Sequence, residues 1–382
     1  YRLNILTLGD FFRIRYNRWV EVLTTLCIIF SYLGWVSAQV KALGLVFSLI
    51  TDGALSQDAG TILGAAIVLT YTSFGGMFST AVLDFLQMIM IIAGLLFIAW
   101  IVSGMVGGVG ATVAHAAEAG KLDFFPEANA VQWFSFLGAW MTMALGSIPQ
   151  QDVFQRVTSA KDAKTAIYGS VLGGSIYFVF TFVPMFIAYS ATLLDPEVFN
   201  GLVAHDSQLV LPTLVLNHMP VLAQSVFFGA VLSAIMSTSS ATLLAPSVAF
   251  SENIVRGFFP RITDSAFLRL MRLTTTVFTC IVLVFALTSG ASIFKMVENA
   301  YKVTLVGAFT PLFLGAFWNK STTQGALFSI VGGVLSWLPI EIFVGADSLL
   351  PPQLVGFCVS LLGMIAGSLL PQKIGAPDRE TP

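Results

Sequence analysis

Between Asp84 and Glu118 the chain runs for 33 residues without an Asp, Glu, Lys or Arg, and between Asp206 and Glu252 it runs for 45. A charged side chain is costly in hydrocarbon, so uncharged gaps of this length mark segments built to cross a bilayer. Only 10% of the 382 residues are charged and 56% are hydrophobic, where a soluble domain carries about 25% charged residues. Such a chain cannot cover a water-facing surface. A soluble enzyme, a nucleic-acid binder and a disordered protein are excluded. The formal net charge of −2 offers nothing to a polyanion.

The charge-free gaps divide the chain into ten expected helices, at 19–50, 59–75, 79–104, 129–148, 164–191, 220–251, 268–289, 293–318, 323–345 and 352–370. A spanning helix needs about 20 residues, so the longest gap exceeds one crossing. Pro212 and Pro220 break it, the helix starts at Pro220, and Pro246 kinks its last turns. The alternating ten-residue segments of a transmembrane β-barrel are absent. The expected fold is an all-α polytopic membrane protein with about ten transmembrane helices.

Lys and Arg set the orientation. With ten spans, 14 of the 18 basic residues share one side: Arg2, Arg13, Arg15, Arg18, Arg156, Lys161, Lys164, Arg256, Arg261, Arg269, Arg272, Lys320, Lys373 and Arg379. The opposite loops hold acidic residues, among them Asp52, Asp58, Glu118, Asp123, Glu127, Asp195 and Asp347. Both termini are expected in the cytoplasm of a cell-membrane protein. Trp19, Trp100 and Trp318 near span ends fit an interfacial belt. Cys27, Cys280 and Cys358 fall inside helices and suggest neither a disulfide framework nor a metal cluster. His115, His205 and His218 are expected in outward loops without metal-ligand spacing. Gly169 and Gly173 form a close-packing motif in the fifth helix.

Polar groups inside the membrane are functional candidates, because an unpaired one is expensive there. Ser237 and Ser240 share a face of the sixth helix, with Thr238 beside them. Hydroxyl oxygens are hard neutral ligands that suit a small hard cation. Ser and Thr also back-bond to their own helix or join helices, and the residues alone leave both uses open. Asp84 with Gln87 could assist a cation, or Asp84 could simply favour a helix N-terminus. Gly146, Ser147, Ile148, Pro149, Gln150 and Gln151 point to an interrupted helix, the kind that lines transporter binding sites, or to a plain helix end. Glu298 and Lys302 are spaced for an i,i+4 ion pair, with Lys295, Asn299 and Tyr301 nearby; Glu341 has no evident partner.

Five segments, in order, carry a resemblance. They are Thr7-Leu8-Gly9-Asp10-Phe11-Phe12 with Arg15-Tyr16; Gly75-Gly76-Met77 through Asp84-Phe85-Leu86-Gln87; Gln151-Asp152-Val153-Phe154-Gln155-Arg156 with Ala160-Lys161; Ala234-Ile235-Met236-Ser237-Thr238 through Asn253-Ile254; and Lys320 with Thr322-Thr323-Gln324-Gly325-Ala326. Together they resemble the sodium:solute symporter family. The resemblance implies the LeuT-like fold, an inverted repeat of five helices plus five. Residues 1–104 would be the remainder of the first repeat, 129–318 the second, and 323–370 two additional helices, all in one transport domain. The first two core helices would be missing, leaving the first repeat incomplete.

The resemblance implies Na⁺ as coupling ion, held by the Ala234 carbonyl and the hydroxyls of Ser237 and Thr238. Asp84 and Ser240, with Ser237, match a second cation site of some members, but the next expected hydroxyl is Ala241. Gly146, Ser147, Gln150 and Gln151 are the candidate solute contacts. The Asn and Tyr that sugar carriers of the family place in that segment are absent, which favours an amino acid, amine or organic acid. The implied function is non-enzymatic: secondary active uptake of a small organic solute across a lipid bilayer, with no nucleic-acid partner and no assigned oligomeric state. Two other readings use the same segments. One is the membrane half of a sensor protein, which would carry a long cytoplasmic region after the last helix; twelve residues follow Leu370 here. The other is a truncated, non-transporting chain.

Overall fold

The computed structural model describes residues 5–127, 129–259, 261–345 and 350–374, without the side chains of 74–80. Arg2, Asp347 and Arg379, and the side chain of Met77, lie outside the described residues. The described residues are helical, with no strand among them. In chain order the helices are α1 Leu8–Arg15, α2 Arg18–Ile50, α3 Gln57–Met105, α4 Val109–Glu118, α5 Ala130–Gly146, α6 Gln151–Thr158, α7 Ala163–Phe180, α8 Phe182–Leu194, α9 Pro196–His205, α10 Val210–His218, α11 Val221–Ala249, α12 Arg256–Phe258, α13 Asp264–Thr288, α14 Ile293–Thr304, α15 Thr310–Phe317, α16 Thr323–Phe343 and α17 Pro352–Leu369. Widened π-helical turns, Phe250–Val255 and Leu305–Phe309, join α11 to α12 and α14 to α15.

Eight stretches among the described residues are long and apolar enough to span: Arg18–Ile50, Ala81–Met105, Ala163–Leu194, Val221–Phe258, Asp264–Thr288, Ile293–Phe317, Thr323–Phe343 and Pro352–Leu369. The expected span at 129–148 is the 17-residue α5, just under the length of those eight. The helices expected at 59–75 and 79–104 are continuous as the 49-residue α3. Gly75 and Gly76 fall at the expected junction, but glycine costs a helix only about 1 kcal/mol and removes no hydrogen bond. The histidines sit in short helices rather than loops: His115 on α4, His205 ending α9 and His218 ending α10. His115 Nε2 lies 3.1 Å from Thr192 Oγ1. A Cβ added at Gly169 or Gly173 would meet nothing within 4 Å, so the expected close packing is not made among the described residues.

The chain forms two compact units. The first comprises Tyr1–Ala38, Pro126–Ala163 and Thr242–Pro382; the second comprises Gln39–Phe125 and Lys164–Ala241. The second unit is built on an apolar core of Val46, Ile98, Val102, Ile187, Phe199, Leu214 and Phe227. In the first unit, α16 and α17 pack through small residues, with Gly325 against Gly367 and Gly333 against Gly356, so the two backbones approach closely. Helix α1 is fixed at its start by a capping box between Thr7 and Asp10. At its end, Arg15 donates to the carbonyls of Gly315 and Ser321, at 2.8 and 3.1 Å. Tyr16 is fully buried and donates to the Pro311 carbonyl at 2.8 Å. Burial pushes its phenol up to about 12, so the hydroxyl keeps its proton across the physiological range.

Candidate functional site

Helix α11 carries four consecutive hydroxyl residues, Ser237 to Ser240. In a membrane each must find a partner. Three turn back on their own helix: Thr238 Oγ donates to Ala234 O at 3.0 Å, Ser239 Oγ to Ile235 O at 2.6 Å, and Ser240 Oγ to Ser237 O at 3.0 Å. Ser237 points away to α3 and donates to Asp84 Oδ1 at 2.5 Å. From the same helix, the Tyr71 hydroxyl donates to Met236 O at 2.6 Å. These contacts all lie within the second unit.

In a straight helix Tyr71 and Asp84 would be about 20 Å apart along the axis. Their side chains meet adjacent residues of α11, Met236 and Ser237. One turn of α11 thus carries the Ala234 carbonyl and the Ser237 and Thr238 hydroxyls, with the Asp84 carboxylate against Ser237. Ser240 is buried and bonded within the helix, and Ala241 adds no hydroxyl. Gln87, one turn beyond Asp84, holds a buried Oε1 with no partner among the described residues. Tyr71 was not singled out from the sequence; the available signal was a phenol in an apolar run, whose hydroxyl needs an acceptor when buried.

The second constellation lies in the first unit, where the expected interruption is present. Helix α5 stops at Gly146 and α6 resumes at Gln151. Pro149 lacks an N–H and cannot continue the ladder. A helix end leaves carbonyls unpaired, and Thr304 Oγ donates to that of Gly146 at 2.6 Å. A Cβ at 146 would run into the Tyr301 carbonyl, so glycine is required where α5 and α14 touch. Tyr301 packs on Trp35 of α2, ring centroids 5.1 Å apart. Tyr32 donates its hydroxyl hydrogen to Asp152 and accepts the Asp152 N–H at 2.9 Å.

The four expected solute contacts fare differently. Gly146 and Gln150 bound the break. Ser147 Oγ donates to Ala144 O of its own helix at 3.3 Å. Gln151 turns to α1, where its Oε1 accepts the Leu8 N–H at 2.8 Å. Gln150 Nε2, Gln151 Nε2 and Ser31 Oγ are buried without a partner among the described residues. Tyr32, Trp35 and Thr304 were missed from sequence. Tyr32 lies 120 residues from Asp152, and one sequence contains no signal for such a pairing.

Motif segments converge within the first unit. Asn253 Nδ2 donates to Asp10 Oδ1 at 3.1 Å and to Glu21 Oε1 at 3.0 Å. Arg15 also bonds the Ser321 hydroxyl, next to Lys320.

The charged group on α14 pairs differently from its spacing. Lys302 is buried at 4% exposure, and its Nζ lies 2.7 Å from Glu341 Oε1 of α16 but 3.9 Å from Glu298. Glu298 pairs with Lys295 at 2.9 Å, and Trp337 Nε1 donates to Glu341 Oε2 at 3.2 Å. The i,i+4 pair is present at 3.9 Å, but Glu341, approaching from another helix at 2.7 Å, holds the buried ammonium more closely.

The family model for the sodium:solute symporter family matches residues 1–333. The osmoregulated proline transporter OpuE of Bacillus subtilis (strain 168) is 26% identical over 396 aligned positions, covering 96% of this chain and 75% of that protein. The high affinity choline transporter 1 of Homo sapiens is 26% identical over 319, covering 78% and 52%. A solved structure of a Na⁺-coupled sialic acid symporter, in a substrate-bound outward-open state, matches with a TM-score of 0.75 at 16% identity, covering 96% of this chain and 78% of that one. The fold is shared with that LeuT-like transporter, and the chain belongs to the sodium:solute symporter family.

Proposed function

We propose that this chain couples Na⁺ entry to the uptake of a small organic solute, an amino acid, amine or organic acid, by alternating access. The observation that carries the reading is the single turn of α11 in which Ser237 bonds Asp84 while Thr238 bonds the Ala234 carbonyl. Hard neutral oxygens with an adjacent carboxylate suit Na⁺, which moves here as a substrate. Ser240 and Asp84 are the candidates for a second cation. A hydroxyl that donates its hydrogen still has lone pairs to offer a cation.

The break between Gly146 and Gln151 is the proposed solute site. Freed backbone groups and the unpartnered Gln150 amide there can meet a polar solute. Ser147 and Gln151, whose oxygens are already engaged, would contribute less. Residues 1–382 are read as one transport domain, with repeats at 1–104 and 129–318 and two further helices at 323–370. Both termini are placed in the cytoplasm of a cell-membrane protein, from the distribution of Lys and Arg. Each Na⁺ entering down an inside-negative potential contributes about 2.3 kcal/mol per 100 mV. Coupling follows if Na⁺ binds one of the two access states more tightly than the other.

Proteoliposome uptake tests this reading. A panel of labelled amino acids, amines and organic acids is offered with an inward Na⁺ gradient, then with K⁺ replacing Na⁺. Accumulation of at least one member above equilibrium, only with Na⁺, is expected. Equal uptake in Na⁺ and K⁺ would remove the Na⁺ coupling.

A further inference from the structure

We propose that the ion pair between buried Lys302 and partly buried Glu341 is a positioning device, through which α16, a helix outside the five-plus-five core, sets the geometry of the break between α5 and α6. The inference rests on reading that break as the solute site.

Lys302 occupies a strategic place on α14. The residue before it, Tyr301, packs on Trp35, and its carbonyl faces Gly146. Two residues after it, Thr304 donates to the Gly146 carbonyl. One side of α14 is thus the wall against which α5 ends. Directly after Thr304 the chain enters the π-helical turn Leu305–Phe309. A widened turn is a weak point in a helix, so the ladder into α15 does not by itself fix how α14 is rotated. Lys302 supplies a second fixed point. Its ammonium is held by Glu341 Oε1, while Glu341 Oε2 takes the Trp337 N–H, so both carboxylate oxygens are committed.

A buried ion pair contributes little net stability compared with apolar side chains, but removing one partner leaves an uncompensated charge. The pair is therefore better explained by the geometry it imposes than by the stability it adds. With Glu341 neutralised, Glu298, 3.9 Å away on its own helix, is the carboxylate left to Lys302, and α14 loses its charged tie to α16 beside Tyr301 and Thr304.

The test uses the full chain, as wild type, Glu341→Gln and the charge-swapped pair Lys302→Glu/Glu341→Lys. Amide hydrogen exchange of residues 143–152 is measured in Na⁺-containing detergent, and initial rates of Na⁺-driven L-proline uptake are measured in proteoliposomes. For Glu341→Gln, exchange at the break should rise about tenfold, with a rise in apparent KM of about fivefold and little change in Vmax. The swapped pair should restore both. Faster exchange confined to α16 and α17, with the break unchanged, would overturn the proposal and make the pair a local anchor. Failure of the swap to restore exchange at the break would overturn it too. Exchange that responds as expected while proline KM does not move would uphold the positioning role and overturn the solute-site reading. If the wild type takes up no proline, hydrogen exchange alone decides.

Discussion

A hydroxyl in a membrane helix must dispose of its hydrogen, and α11 does this in two ways within one turn. Thr238 gives it to its own helix at Ala234, and Ser237 gives it to Asp84. The second choice depends on a charge. A hydrogen bond to a charged group is worth about 1.5–3 kcal/mol and a neutral one about 1. Asp84→Asn keeps an oxygen for Ser237 to donate to, so the hydroxyl stays in place and only the charge is lost. The variant should raise the half-saturating Na⁺ concentration for uptake about two- to thirtyfold. An unchanged Na⁺ requirement would confine Asp84 to orienting Ser237. Sequence alone identified Ser237, Thr238 and Asp84 as unusual, because polar atoms in apolar runs stand out. It did not reveal Tyr71, because a tyrosine is at home at many depths and its acceptor is a backbone carbonyl 165 residues away.

At the level of single elements, the interrupted helix follows from local chemistry. Gly146 and Pro149 stop α5, and the polar residues after them restart the chain as α6. That much was legible because it depends on residues close in sequence. What holds the break was not, because Thr304 comes from 158 residues downstream of Gly146, with Tyr301 beside it. Gly146→Ala tests that contact. The added Cβ meets the Tyr301 backbone, which cannot move aside like a side chain. The variant should lose about 1–3 kcal/mol of stability, read as a lower midpoint of thermal unfolding in detergent, together with a higher solute KM. An alanine that leaves both unchanged would mean that α5 and α14 do not meet this closely. The same logic explains α3. The sequence suggested a boundary at Gly75-Gly76, but nothing there removes a backbone hydrogen bond, and the helix continues. The reverse holds at Lys302, where local spacing favoured Glu298 and tertiary geometry chose Glu341.

For the whole molecule, the absence of charge from long stretches was enough to place it in a bilayer, because that cost is additive and needs no knowledge of contacts. The repeat architecture was not readable from periodicity; it came from the order of five motifs. Topology remains the most testable property at this scale. With the three native cysteines replaced by alanine, Lys161→Cys, exposed between α6 and α7, should react with an impermeant maleimide only from the cytoplasmic face. Asp123→Cys, exposed between α4 and α5, should react only from outside. The opposite pattern would invert the orientation.

The central claim is that Na⁺ drives transport through the hydroxyls of α11. The most direct measurement is the Na⁺ dependence of solute uptake in proteoliposomes for the wild type and for Ser237→Ala/Thr238→Ala. The account predicts that the double variant needs about a hundredfold more Na⁺ for half-maximal uptake, since each lost ligand of about 1.4 kcal/mol costs a factor of ten. A double variant that accumulates solute with the wild-type Na⁺ dependence would contradict it.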